Sequence, residues 1–248
     1  MNELHPGHAL GIFLQARLGS TRLPMKVLMP LSGLPEIEHA MRALRRIPAE
    51  VHALLTDDDS FEALHPLARE CGFLTFRGPD KDVLGRFALA ARHYGVNRIM
   101  RATGDNPLVS RELAEELLVI HRREQADFSG FVGLPIGTGV EIVETHSLLT
   151  ASEESRDPYE REHVNPFLYR RPERFKVLHP AVAARYSLPE ASVTLDTEED
   201  YRFLTCLFGE LYSGEPIETG RLVEWLGTHD RREVLNGSGA RDALHTLR

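Results

Sequence analysis

The chain has 248 residues, 42% of them hydrophobic and 27% charged, with a formal net charge of −8. That is room for one large α/β domain, and so acidic a balance argues against a nucleic-acid or anionic-membrane partner. Any anion the chain handles must therefore meet a local cluster of Arg, Lys and backbone N–H groups. No apolar run reaches the roughly 18–20 residues that span a bilayer. Met1–His8 has no basic segment leading into an apolar core, so a secretory leader is not expected. Cys71 and Cys206 are far apart without metal-type spacing and read as small apolar groups in a reducing, cytoplasmic setting.

In chain order, residues 9–15 (ALGIFLQ) form a nearly continuous apolar run, the pattern of a buried central strand. Residues 16–26 form a loop. A helix is predicted at about 35–47, with Pro35 at its start and Ile37, Met41 and Leu44 on one face. Residues 51–55 are a strand, 60–71 a helix and 73–76 a strand. From 81 to 94, Val83, Phe87, Ala90 and Tyr94 recur at helical spacing. A short strand at 99–102 runs into Gly104-Asp105-Asn106-Pro107, and Ser110 caps a helix carrying Leu113, Leu117 and Ile120. Short strands alternating with helices indicate a doubly wound, mostly parallel sheet. Ligands of such sheets sit at the carboxyl ends of the strands, where the strand order reverses.

Beyond residue 125 the pattern changes. Strands are predicted at 128–132 and 140–143 around a Gly/Pro loop, and helix over 145–171 with a break near Asp157-Pro158. Two further strands are predicted at 176–178 and 192–195. Thr197 opens a helix with Asp200 three residues on, a loose capping box. Another helix falls at about 217–227, and the tail from Thr228 is polar. The organisation expected is a single domain over 1–248 with an inserted arm at about 130–190.

Five segments carry chemistry. The first, residues 16–26 (ARLGSTRLPMK), follows the first strand and packs Arg17, Arg22 and Lys26 around Gly19, Ser20 and Thr21. It reads either as a triphosphate cradle of backbone N–H groups and cations or as a solvated turn. It is neither a G-x-G-x-x-G nor a G-x-x-x-x-G-K-[ST] motif, which argues against a dinucleotide dehydrogenase and a P-loop ATPase. The second, residues 101–108 (RATGDNPL), sets Asp105 on a turn at a strand end, where it can hold a hard cation or bond its own backbone. In the third, 194–200 (TLDTEED), Asp196 can supply a second carboxylate or favour the helix dipole. In the fourth, Asp82 and Arg86 are four apart, the spacing of a helical ion pair, and the turn could also meet a nucleotide. The fifth is Arg161-Glu162-His163-Val164-Asn165-Pro166-Phe167, whose lone His163 reads as structural. Asp57-Asp58-Asp59 reads as a turn and helix cap, although it is a D-x-D match that a nucleotide-sugar glycosyltransferase could use.

In this order the segments resemble the cytidylyltransferase family of the spore-coat polysaccharide type, and more distantly the CMP-sialic acid and CMP-Kdo synthetases, over about Gly11 to Phe208. The resemblance implies a Rossmann-like sheet of the nucleotide-diphospho-sugar transferase type. It implies CMP transfer from CTP to a small anionic acceptor (sugar acid, sugar phosphate or phosphonate), with pyrophosphate leaving. Arg17, Gly19, Ser20, Arg22 and Lys26 would meet the CTP phosphates, with Ala16 and Thr103 counted in the nucleotide-binding set. Lys26, Arg17 and Asp105 would serve the chemistry, and Asp105 and Asp196 would hold Mg2+. Thr56 or Asp57, with Arg86, would lie near the cytidine, and Arg101, Glu141 and Arg161 near the acceptor. The arm implies a homodimer. Two departures stand out: Met25 occupies a position commonly Gly in relatives, and Gly139 one usually Asp. A nucleotide-sugar glycosyltransferase and a non-catalytic nucleotide-binding module are the competing readings.

Overall fold

The computed structural model describes residues 9–236. The leader expectation on Met1–His8 and the end of the polar tail fall outside the described residues. Seven strands form the main sheet: β1 (Leu10–Gln15), β4 (Val51–Thr56), β5 (Leu74–Arg77), β6 (Arg98–Thr103), β7 (Phe128–Gly130), β8 (Glu141–Glu144) and β9 (Val177–Leu178). Their order is β5-β4-β1-β6-β8-β7-β9. The first four are mutually parallel, and β8 alone runs antiparallel to both of its neighbours. The doubly wound, mostly parallel fold expected from the alternating pattern is therefore the fold observed.

The β1 run is apolar throughout because both faces of the sheet are covered. Leu10, Ile12 and Leu14 enter one core with α1 (Glu36–Leu44), α2 (Asp58–Glu70) and α4 (Arg111–Glu124). Phe13 points the other way, into a core with α3 (Val83–Tyr94), α5 (Thr145–Glu154) and α7 (Pro166–Tyr169). Alternate residues of a strand face opposite sides, so a central strand needs apolar groups at both parities. A third core forms around α8 (Glu198–Leu211) and α9 (Thr219–Thr228), where Val193, Leu195, Phe203 and Trp225 are buried.

The sequence pattern differs from the structure in a few places. Helix over 145–171 resolves into three pieces, α5, α6 (Pro158–His163) and α7. Pro158 and Pro166 each lie at a helix start, where their missing N–H costs nothing. A hairpin, β2 (Pro30–Leu31) and β3 (Leu34–Pro35), was not foreseen. The strand expected at 192–195 is extended but joins no ladder. It touches its neighbours through one bridge, Ile136 to Ser192, and through Leu195 N–H donating to Asp105 O at 2.9 Å. The polar tail after Thr228 holds one more helix, α10 (Arg231–Asn236).

The strand order turns at the β1–β6 pair, the switch point of the sheet. The backbones there converge closely: Gly104 N–H donates to Gln15 O at 2.8 Å, and a Cβ on Gly104 would stand 2.8 Å from Ala16 Cβ. A side chain at 104 would force the two strand ends apart. Gly104→Ala is expected to lower unfolding free energy by about 1–3 kcal/mol, the usual cost of overpacking, as read by urea denaturation. An unchanged midpoint would show that the strand ends can give way.

Candidate active site

The loop after β1 folds back on itself. Ser20 N–H and Met25 N–H both donate to Leu18 O, at 2.8 and 3.1 Å, and Leu18 N–H donates to Ser60 Oγ at 2.9 Å. Met25 takes a left-handed conformation, φ 57°, and caps a short 3-10 turn, Lys26–Leu28. That turn directs Lys26 inward, leaving the residue 9% exposed. A non-glycine residue in this region carries a backbone cost, which fits the resemblance's expectation of glycine at this position.

Lys26 Nζ donates to Asp105 Oδ2 at 2.9 Å and to Asp196 Oδ1 at 2.8 Å. Two aspartates from distant parts of the chain thus meet on one ammonium. Arg22 Nη2 also reaches Asp196 Oδ1, at 2.8 Å. Burial opposes the charge on Lys26, but Asp105 and Asp196 outweigh it and hold its pKa above the ordinary lysine value. Among the described residues no three His, Cys, Asp or Glu side chains form a metal cage. The set available is two hard carboxylates, each about one-third exposed. That suits magnesium, which needs only one or two carboxylates beside water and phosphate oxygens.

These groups line a cleft of ≈ 500 Å³ at the carboxyl ends of β1 and β6. Of the residues singled out in the sequence, Ala16, Arg17, Gly19, Ser20, Arg22, Lys26, Arg86, Arg101, Thr103, Asp105 and Asp196 all border it. Arg17 is held at the rim by Asp80 at 3.2 Å and Glu162 at 3.7 Å. Arg86 differs from the other cations. It is 1% exposed, donates through Nη1 to Pro79 O at 2.9 Å, and leaves Nε without a partner. Burial lowers its pKa, against the pull of Asp57.

Several expectations are corrected. Asp82 does not pair with Arg86. It caps α3 through Gly85 N–H at 2.9 Å and takes Arg161 Nη2 at 2.5 Å. Arg161 also donates to Ser152 O and Ser155 O, so it ties α6 to the start of α3 and borders neither the cleft nor the cavity beside it. Thr56 and Asp57 lie beneath the cleft and do not line it. Thr56 is fully buried with its hydroxyl unpartnered. Asp57 caps α2 by accepting Ser60 N–H at 2.7 Å, which sets the Ser60 hydroxyl that holds Leu18. Asp58 and Asp59 occupy the first turn of the same helix. The aspartate triplet is thus a helix cap, and it does not serve the glycosyltransferase reading as a metal motif.

A second cavity, ≈ 510 Å³, adjoins the cleft and shares Arg101, Thr103, Asn106, Ile136 and Gly137 with it. Arg101 and Glu141 face each other across the β6–β8 ladder and bond at 2.6 Å. Arg101 Nε donates to Gln15 Oε1 at 3.2 Å, and Asn165 Nδ2 donates to Glu141 Oε2 at 2.9 Å. Gly139 lines this cavity. Gly137, at φ 97°, lets its loop lie against Thr194, whose N would sit 3.0 Å from a Cβ there.

Sequence reasoning missed Gln15, Ile136, Gly137 and Glu162 in the cleft wall and read His163 as structural, although it also borders the cleft. The signal for the last two lies at Val164, which has φ 75° and ψ −64°, while Asn165 N–H donates to His163 O at 3.0 Å. This is a classic γ-turn, rare and strained for a β-branched residue. It ends α6 abruptly, leaving Glu162 and His163 on the cleft and burying Asn165. The sequence marks the turn only through Pro166.

A family profile described as cytidylyltransferase matches residues 12–211. The chain belongs to the cytidylyltransferase family. It is 29% identical over 221 residues to the spore coat polysaccharide biosynthesis protein SpsF of Bacillus subtilis, covering 86% of this chain and 92% of that one. A cytidylyltransferase from Leptospira borgpetersenii superposes with a TM-score of 0.83 at 26% identity, over 93% of this chain and 98% of the other. A CMP:2-keto-3-deoxy-manno-octonic acid synthetase complexed with CTP shares the fold, at a TM-score of 0.64 and 17% identity, over 82% and 98% of the two chains. The expected family and enzyme class are thereby established.

Beneath the cation loop lies a carboxyl group that no sequence pattern flagged. Glu36 opens α1, is fully buried, and has no hydrogen-bond partner for either oxygen. Burial pushes its pKa well above the ordinary carboxylate value, Asp105 adds to this, and Lys26 opposes it. A carboxyl whose folded pKa is raised binds its proton more tightly when folded. Its contribution is complete below the unfolded value, near pH 4.3, and is lost as pH rises from there through the folded pKa. Glu36→Gln removes this slope. The difference in melting temperature between E36Q and wild type is therefore expected to grow in favour of the variant between about pH 5 and about pH 8. Parallel melting curves would show that Glu36 is ionised and compensated.

Proposed function

We propose that the chain transfers CMP from CTP to a small anionic acceptor, with magnesium as cofactor and pyrophosphate as the leaving group. The observation that carries this reading is Lys26 Nζ held between Asp105 and Asp196 beside Arg17 and Arg22. Family membership supplies the nucleotide class, and the cleft supplies cations on a self-closed backbone turn, as a triphosphate requires.

An acceptor oxygen forms a bond to the α-phosphorus while the bond to the α–β bridging oxygen breaks. Phosphoryl-type transfer asks the protein chiefly for alignment and charge stabilisation. Arg17, Arg22 and Lys26 hold the negative charge that collects on the departing pyrophosphate. Asp105 and Asp196 would hold magnesium, which supplies charge neutralisation at phosphate oxygens when bound. Arg86, which borders the cleft, would meet the nucleoside. The adjoining cavity takes the acceptor, with Arg101 at the junction offering a guanidinium to its anionic group and Glu141 fixing that guanidinium. The arm at 130–190, which the resemblance implies for pairing two copies, carries exposed Tyr159 at 46%.

Asp105→Ala is expected to cut pyrophosphate release more than about a hundredfold, about 2.7 kcal/mol. Lys26→Ala should cost a few kcal/mol of transition-state stabilisation, as the loss of one preorganised donor does. Both are read with CTP and a panel of sugar acids, sugar phosphates and phosphonates. Near-normal turnover in D105A would remove it from the metal role. A loss confined to melting temperature would make the Lys26 cluster a structural ion pair.

A further inference from the structure

The segment that presents Thr194 and Asp196 to the cleft has little sheet to brace it. Its backbone is held from the cleft side by the Ser192 bridge, made of Ile136 N–H to Ala191 O and Val193 N–H to Ile136 O, both at 2.8 Å, and by Leu195 N–H to Asp105 O. On the far side it meets α10. Arg231, the first residue of that helix, donates Nη2 to Asp200 Oδ1 at 2.5 Å and Nη1 to Ser192 O at 3.3 Å. Its Nε lies 3.7 Å from Glu199 Oε1, and its guanidinium covers the Phe203 ring at 4.4 Å.

Asp200 works from both oxygens. While Oδ1 takes Arg231, Oδ2 accepts Asp196 N–H at 3.1 Å, Thr197 N–H at 2.7 Å and the Thr197 hydroxyl at 2.8 Å. Burial works to raise the Asp200 carboxyl, and these bonds with Arg231 outweigh it and hold it below the usual range. One guanidinium thus bears on both ends of the segment: on Ser192 directly, and on Asp196 through Asp200. The capping box of α8 is local, whereas Arg231 comes from a separate helix beyond α9.

We infer that Arg231 is a positioning residue of the active site: through Asp200 and Ser192 O it holds the segment that aims the Asp196 carboxylate at the cation position shared with Lys26 and Asp105. The inference rests on the reading of the cleft given above. It makes α10 part of the site although none of its residues borders the cleft. Direct outer partners of metal ligands are worth about 10–100-fold in metal affinity or activity; Arg231 acts one bond further out, through Asp200 on the Asp196 backbone, so the low end of that range is expected.

The test compares wild type, Arg231→Met, Arg231→Lys and Arg232→Met. Methionine keeps apolar cover over Phe203 without the charged bonds, and Arg232 is a neighbouring control whose side chain makes no ion pair among the described residues. Mn2+ affinity in the presence of CTP is followed by electron paramagnetic resonance, and kcat and KM for CTP by pyrophosphate release. R231M is expected to bind Mn2+ about tenfold more weakly and to lose kcat with little change in KM, R231K to recover part of both, and R232M to match wild type. Wild-type Mn2+ affinity and kcat in R231M, with only the melting temperature lowered, would overturn the inference. If R231M does not fold, Asp200→Asn reads the same link from its other end, and unchanged Mn2+ affinity there overturns it equally. A wild-type protein that binds no Mn2+ with CTP and releases no pyrophosphate would bring down the reading of the cleft and the inference with it. An active wild type with a silent R231M brings down the inference alone.

Discussion

The ammonium of Lys26 is the point on which the site is built. Two carboxylates brought close together repel unless a cation stands between them. Lys26 is that cation, bonded to Asp105 and Asp196 at 2.9 and 2.8 Å. Each of the three groups is costly alone in a half-buried setting, and removing any one leaves the others uncompensated. The rest of the local structure serves this meeting. The sheet reverses its strand order between β1 and β6, Gly104 lets the two strand ends touch, and the left-handed Met25 turns Lys26 inward.

The surroundings concentrate unfavourable features where a ligand would use them. Val164 sits in a γ-turn that β-branched residues avoid, Arg86 buries an N–H without a partner, and Glu36 buries a whole carboxyl. Such features persist when the surrounding structure over-determines them, and they gather at functional sites. The neighbouring cavity is more conservative. Its one guanidinium and one carboxylate are paired across a strand ladder and steadied by Gln15 and Asn165. The cleft's cations are paired as well, Arg22 and Lys26 on Asp196 and Arg17 on Asp80, whereas Arg86 keeps a buried N–H unpartnered. The fold alone would host many chemistries. This distribution, with the family assignment, singles out nucleotidyl transfer.

Much of this was legible before any coordinates. The ALGIFLQ run could only be a strand covered on both faces, and the cation-rich segment after it had to fall at a strand's carboxyl end. The same logic put Asp105 on a turn and Asp196 before a helix cap. Less legible were residues whose roles depend on a partner far along the chain. The resemblance set Arg161 facing or supporting the acceptor, whereas its guanidinium bonds Asp82 and borders neither cavity. The resemblance put Thr56 or Asp57 near the cytidine, but Asp57 is the helix cap that its turn chemistry indicated. Glu162 lay in a segment that the sequence singled out, but its place on the cleft depends on a backbone turn at Val164 that only Pro166 marks locally.

By itself, the sequence determined the alternation of strand and helix, the placing of a cation loop and two aspartates at element ends, and the family to which those segments belong. These follow from periodicity, turn chemistry and capping, all of which act over a few residues. Only the tertiary structure decided that Asp105 and Asp196 meet on one ammonium, that Arg101 pairs with Glu141 rather than standing free, and that Arg231 of α10 bonds Ser192 and Asp200 beside Asp196. Those outcomes depend on strand order, register and helix packing, which bring together groups whose separation along the chain leaves no local trace.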